Sequence, residues 1–128
     1  MSNNYRIPEK VELRIRSERI RDNNSCVYCR KAMIDPYVRS KQGDSVTIEH
    51  LRETPPRNNS FDWFKGGWKA EDITICCGSC NSSRGKKKLL YWFEGTYCTD
   101  TGRKVRGRKI NENTVAKPVK EYIERNER

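Results

Sequence analysis

The sequence predicts a small α+β fold built from two short strands and a helix, with further helices near the two ends of the chain. Three observations carry this reading. Residues 45–51 and 72–77 are short and rich in β-branched side chains, as half-buried strands are. Residues 80–94 hold Leu89, Leu90, Trp92 and Phe93, which suits a helix whose later turns dock on a core. Cysteines or the single histidine flank each of these segments, so whatever gathers the cysteines also gathers the elements.

Taken in order, the chain begins with a helix over about residues 9 to 22. Pro8 stands at an early helical position, and strong helix formers follow it. Val11, Leu13 and Ile15 also alternate as in a strand. Asp22-Asn23-Asn24-Ser25 breaks the pattern as a turn. Cys26-Val27-Tyr28-Cys29 comes next, then a polar, basic loop through about residue 43 with Pro36 and Gly43. The first strand ends near His50. Pro55-Pro56, Asn58-Asn59 and Gly66-Gly67 mark a loop. The second strand runs from Asp72 to Cys77, and the helix from Cys80 to about Glu94, with Gly95 as its stop. Residues 96–116 show no helical period and read as a loop or irregular hairpin. From Val115 to Arg128, Val119, Tyr122 and Ile123 are spaced for one face of a terminal helix.

The length of 128 residues is that of one domain. Residues 1–128 therefore read as a single unit, with a core over about 10–94 and a basic extension over 95–128. Only 34% of residues are hydrophobic, 34% are charged, and mean hydropathy is −1.03. So little apolar material implies that something besides burial holds the fold. Lys and Arg number 27 against 17 Asp and Glu, a net charge of +10. That balance favours a polyanionic partner, either nucleic acid or an anionic membrane surface, although a soluble basic protein with no such partner has the same charge. No run of apolar residues is long enough to span a membrane, and MSNNYRIPEK lacks the apolar core of a signal peptide. The chain reads as soluble and intracellular (cytoplasmic), with no membrane partner. In a reducing cytosol, six cysteines point to metal or catalytic use rather than disulfides.

Cys26-x-x-Cys29 and Cys77-x-x-Cys80 have the spacing that lets both sulfurs of a pair face one ion from a tight knuckle, and four thiolates make a closed tetrahedral zinc site. The 47 residues between the pairs exceed the gap of a simple zinc ribbon, so an inserted element loops out while the knuckles meet. Structural zinc supplies roughly 10–16 kcal/mol of apparent binding free energy in small peptides, enough to fold so polar a chain. Redox-active or incidental thiols are the other reading of the same pairs. Cys76 leaves a register ambiguity with Cys77, and Cys98 stands alone as a buried or unpaired thiol.

The element between the knuckles contains His50, the only histidine. A lone histidine is commonly a packed structural residue, and this one could also replace a thiol on zinc. Its neighbour Glu49 is a hard oxygen ligand, and imidazole takes a proton from water near neutral pH. Phosphodiester hydrolysis needs an activated water and a cation on the phosphate, so adjacent Glu and His supply part of both. Asn81, just after the second knuckle, offers an amide oxygen suited to a magnesium-type ion, or is an ordinary polar residue near a helix start. Ser83-Arg84-Gly85-Lys86-Lys87-Lys88 is placed on the same helix. Residues 84–109 hold nine basic side chains against Glu94 and Asp100, enough to neutralise phosphates or to form a solvated basic face. Trp63, Trp68 and Trp92 read as core rather than base-stacking residues.

Arg21-Asp22-Asn23-Asn24-x-Cys26-x-Tyr28-Cys29, Thr47-Ile48-Glu49-His50, Gly66-Gly67 and Cys77-Gly78-Ser79-Cys80-Asn81-Ser82-Ser83-Arg84-Gly85-Lys86 occur in that order. Over roughly residues 10–94 this pattern resembles the zinc-knuckle HNH endonucleases. The resemblance implies a treble-clef-like ββα-metal core with a structural zinc on Cys26, Cys29, Cys77 and Cys80, and DNA as substrate. It implies His50 as the general base, and Glu49 and Asn81 as ligands of a catalytic Mg²⁺ or Mn²⁺, with cleavage to 5′-phosphate and 3′-hydroxyl ends. Arg84, Lys86, Lys87, Lys88, Arg103, Lys104 and Arg106 are the candidate phosphate contacts. Two departures stand out. Glu49 replaces the more usual Asp, which lengthens the ligand arm. Asp72 stands where the family has its middle Asn, either securing the loop that carries the base by accepting backbone hydrogen bonds or serving as a further metal ligand.

A closed zinc site cannot activate water, so hydrolysis needs the second, open site. A non-catalytic zinc module that binds DNA or RNA is the alternative, and a protein-interaction zinc domain a third. Cutting both strands with one site per chain requires a homodimer or two successive nicks, and no dimer seam is visible in the sequence.

Overall fold

The computed structural model of the protein describes residues 9–52, 70–101, 104–105 and 107–127. The turn signals between 53 and 69, Trp63, Trp68, Arg103 and Arg106 lie outside the described residues.

Helix α1 spans Glu9–Asp22. Leu13 is 47% exposed and Ile15 3%, a split that a strand would not give, because residues two apart in a strand share a face. Arg19 Nε ties α1 to the sheet by donating to the carbonyl of Ile73 (3.3 Å).

Strands β1 (Val46–His50) and β2 (Ile73–Cys77) form a two-stranded antiparallel ribbon. Val46 lies opposite Cys77 and His50 opposite Ile73, and the Leu51 N–H extends the ladder to the Asp72 carbonyl (2.8 Å). Cross-strand partners share a face. Thr47, Glu49, Thr74 and Cys76 therefore project to one side, and Ile48, His50, Ile73 and Ile75 to the other.

Helix α2 (Gly78–Arg84) follows β2 with no intervening loop, and Cys77 is its N-cap. A single helix from Cys80 to Glu94 is not what forms. The chain leaves helical conformation at Gly85, where φ is +55°, and Arg84 bends inward so that its Nε donates to the Lys87 carbonyl (2.7 Å). Lys86, Lys87 and Lys88 thus lie in a connecting turn rather than on a helix, and the one-turn α3 covers Leu89–Trp92. Its first amides, those of Leu89 and Leu90, are capped by the carboxylate of Glu127 (2.9 and 3.0 Å).

After α3, where the sequence suggests a loop or irregular hairpin, come a π-helical turn over Tyr97–Thr101 and a tight Val105–Arg108 bridge. Helix α4 spans Lys117–Asn126 and buries Val119, Tyr122 and Ile123. Ile110, Val115 and these three residues join Tyr28, Ile75 and Trp92 in one core, and the Ala116 N–H bonds the Val27 carbonyl (2.8 Å). The buried core therefore extends to Ile123, because a chain this poor in apolar residues needs its C-terminal ones to close it. No helix among the described residues is long and apolar enough to cross a membrane.

Candidate metal centre

The first knuckle turns at Arg30, whose φ of +65° lets its N–H fold back onto the Cys26 carbonyl (2.9 Å). Cys26 Sγ accepts the amides of Tyr28 and Cys29 (3.4 and 3.5 Å). Cys77 Sγ accepts the Cys80 amide in the same way (3.5 Å). Gly78 permits the second knuckle to close: a Cβ there would lie 2.0 Å from the Gln42 carbonyl oxygen. These two turns bring the sulfurs of Cys26, Cys29, Cys77 and Cys80 within 4.8 Å of one another, all buried.

The spacing suits a cation. A tetrahedron with metal–sulfur bonds of about 2.3 Å has sulfurs about 3.8 Å apart, and Cys29 and Cys77 are separated by 3.9 Å. Hydrogen bonding with Cys26 lowers the thiols of Cys29 and Cys77, the latter to about 7. The Cys26 thiol is raised by its bond with Cys29, and that of Cys80 by its bond with Cys26. Crowded sulfurs can share protons but cannot all be thiolates without a positive charge among them. These four buried cysteines could hold a metal ion such as zinc. Tyr97 adds an outer contact by donating its hydroxyl to Cys80 Sγ (3.4 Å), and it is also bonded to the Ser79 hydroxyl (2.7 Å).

The register between Cys76 and Cys77 is now plain. Cys77 joins the cluster, whereas Cys76 points to the other face, 3.8 Å from Thr47 Oγ1. Burial pushes the Cys76 thiol well above its ordinary range and that of Cys98 up to about 12. Both are neutral core groups, and none of the six cysteines forms a disulfide.

Beside the cluster, Glu49 is 2% exposed. Its Oε2 accepts from the Tyr28 hydroxyl and from Arg84 Nη1 (3.1 Å), and Oε1 has no partner among the described residues. Burial raises the Glu49 carboxyl above its usual range, and the Arg84 charge opposes that rise. Burial, reinforced by the Glu49 charge, holds the Tyr28 phenol well above its own range, so it stays protonated and donates.

Asn81, in the first turn of α2, reaches back to β1. Its Nδ2 donates to Thr47 Oγ1 (2.9 Å) and to the Ile48 carbonyl (3.0 Å). Since a carbonyl can only accept, the amide orientation follows from the network. The nitrogen faces the strand and the oxygen turns away, with no partner among the described residues.

His50 is half-buried at the end of β1. Adjacent residues of a strand point to opposite sides, so the register puts His50 with Ile73 and Glu49 with Thr74. Glu49 and Thr47, to which Asn81 is bonded, thus lie on one face and His50 on the other. Asp72 is buried, and its carbonyl accepts the Leu51 amide beyond His50.

The basic residues divide. Lys86, Lys87, Lys88 and Lys104 are exposed, with the Lys104 ammonium resting on the carbonyls of Thr99 and Asp100 (3.3 and 3.1 Å). Arg84 is 0% exposed. Its guanidinium is spent on Glu49, the carbonyls of His50 (3.1 Å) and Leu51 (2.9 Å), and Lys87. The expected phosphate contact at Arg84 does not fit this position, because a buried guanidinium with internal acceptors cannot reach DNA. Arg103 and Arg106 fall outside the described residues. Sequence reasoning passed over Tyr28 and Tyr97 as site residues. The signal for Tyr28 is its place between two cysteines in the motif that carries the resemblance, and Tyr97 has none. No family model, curated protein or solved structure matches the chain.

Proposed function

We propose that the protein is an HNH-type, metal-dependent DNA endonuclease. The observation that carries this reading is the carboxamide of Asn81. With its nitrogen bonded to Thr47 and Ile48 of β1, its oxygen has no partner among the described residues and is left as a hard donor directly after the second cysteine pair. In this reading a structural zinc on Cys26, Cys29, Cys77 and Cys80 would fix β1, β2 and α2. Glu49 and Asn81 would hold a Mg²⁺ or Mn²⁺, which would supply charge stabilisation for the phosphate and its departing oxygen.

His50 takes the proton of the attacking water. An in-line displacement brings the nucleophile to the side of phosphorus opposite the leaving oxygen. His50 and Glu49 leave the end of β1 on opposite faces, so in this reading the scissile phosphate has to sit at the strand end, where both can be reached. In this reading the buried Asp72 secures the segment that carries the base or serves as a further ligand of the divalent ion. Lys86, Lys87, Lys88 and Lys104 engage the DNA backbone without selecting a sequence.

Nicking of supercoiled plasmid in Mg²⁺ or Mn²⁺ tests the reading, with cleavage by the wild type expected and its loss on chelation. One observation favours a second reading, a non-catalytic zinc module that binds nucleic acid. Glu49 is already neutralised by Arg84, with the two side chains 3% and 0% exposed. DNA binding with no cleavage under any divalent ion would select that reading.

A further inference from the structure

Glu49 is held from two directions by groups that are themselves immobile. Tyr28 lies inside the first cysteine pair, and its ring stands edge-on to Trp92, with centroids 5.0 Å apart and planes at 72°. The cluster and the core thus fix where its hydroxyl sits. Arg84 is fixed through bonds to Lys87, Glu49, His50 and Leu51 among the described residues. Both groups bond the same carboxylate oxygen, Oε2.

A glutamate has one more rotatable bond than an aspartate, so an exposed one loses more side-chain entropy on taking a fixed pose. Here the ordering is built into the fold. We propose that Tyr28 and Arg84 are positioning residues for Glu49. They occupy Oε2, so that the carboxylate meets a divalent ion through Oε1 alone. The inference rests on the reading of Glu49 as a ligand of that ion. Its consequence is that the cysteine cluster does more than hold the fold together, since the residue between two of its thiols sets the carboxylate of the second site. The other anchor, Arg84, runs from Glu49 to the lysine turn through the Lys87 carbonyl, so the same carboxylate is braced by the metal knuckle and by the basic loop.

The test is Mn²⁺ titration of the zinc-loaded protein, read by the electron paramagnetic resonance signal of free Mn²⁺, with zinc content and thermal midpoint measured on each sample. Tyr28→Phe keeps the ring packed on Trp92 and removes only the hydroxyl. Arg84→Lys keeps the charge and loses the fork, and it remains informative if Tyr28→Phe loses zinc. Each is expected to retain zinc and to bind Mn²⁺ about tenfold more weakly, the usual scale for losing an outer-shell partner. Glu49→Gln should abolish binding at this site. A merely structural role would lower the thermal midpoint and leave Mn²⁺ affinity unmoved. If both variants bind Mn²⁺ as tightly as wild type while Glu49→Gln does not, positioning is overturned and the ligand role of Glu49 stands. If the wild type binds no Mn²⁺, the ligand role falls and the positioning proposal with it.

Discussion

Arg84 Nη1 lies 3.1 Å from Glu49 Oε2, and the two side chains are 0% and 3% exposed. This pair joins α2 to β1 in the interior. Removing one partner leaves the other as an uncompensated buried charge, which typically costs about 3–5 kcal/mol. Arg84→Met is therefore expected to lower the free energy of unfolding by that order in urea titrations. A loss below about 0.5 kcal/mol, the range of ordinary surface changes, would contradict the pairing.

The lysine turn should behave in the opposite way. Lys86, Lys87 and Lys88 are exposed, so replacing all three with Ala should change stability little. DNA affinity should fall, and the slope of log affinity against log salt should shrink by about 0.9 for each phosphate that the protein ceases to neutralise. Binding measured by fluorescence anisotropy across a salt series checks this, and an unchanged slope would make the turn a solvated face.

The thiol cluster and His50 should separate cleanly. Cys26→Ser is expected to abolish zinc binding and cooperative unfolding, since structural zinc contributes on the order of 10 kcal/mol to small domains. His50→Ala should keep one zinc per chain and the wild-type thermal midpoint. Elemental analysis beside thermal melts decides it, and loss of zinc from the His50 variant would move that residue into the structural site.

How much of this was legible in the sequence depends on how local the cause was. The bounds of α1, the two strands and the cysteine pairs follow from short-range signals: helix formers after a proline, β-branched runs, and two-residue gaps. The break at Gly85 did not follow, because the apolar residues 89–93 continue a helix-like pattern. What ends α2 is an inward turn of Arg84 toward carbonyls of β1 and the residue after it. For the same reason Arg84 read as one more cation in a basic run. Its acceptors at Glu49, His50 and Leu51 lie more than thirty positions away in sequence, and no periodicity announces them. The capping of α3 by Glu127 is equally non-local, as is the return of residues 110–123 to the core.

Cys76 and Cys98 provide a check on which thiols are chemically available. Burial raises both, Cys98 to about 12 from an ordinary 9, so at neutral pH both are thiols, and the thiolate is the nucleophile. Neither should be alkylated by iodoacetamide in the folded protein, and both should react once it is unfolded, as peptide mass mapping would show. The sign for stability follows. A thiol raised in the folded state keeps its proton while the unfolded chain loses it, so stability should fall as pH rises from about 9 toward 12. Cys98→Ala should reduce that slope, and rapid alkylation of native Cys98 would contradict the assignment.

Gly78 tests the junction between β2 and α2. The Cβ of an alanine would stand 2.0 Å from the Gln42 carbonyl oxygen, a backbone atom. Gly78→Ala is expected to destabilise the fold by roughly 1–3 kcal/mol, as overpacking does, and to weaken zinc retention against a chelator. A variant with wild-type stability and zinc affinity would show that the loop at residues 42–45 yields freely.

In the proposed mechanism His50 supplies the base for phosphodiester cleavage, with a divalent ion held by Glu49 and Asn81. The most direct measurement is single-turnover cleavage of an end-labelled DNA duplex in Mn²⁺ by zinc-matched wild type and His50→Ala. The expected result is cutting by the wild type to 5′-phosphate ends, with a rate about 100-fold or more lower in the variant, the scale of general-base catalysis, while DNA affinity is unchanged. Equal rates for the two proteins, or tight DNA binding by the wild type with no cleavage, would contradict it.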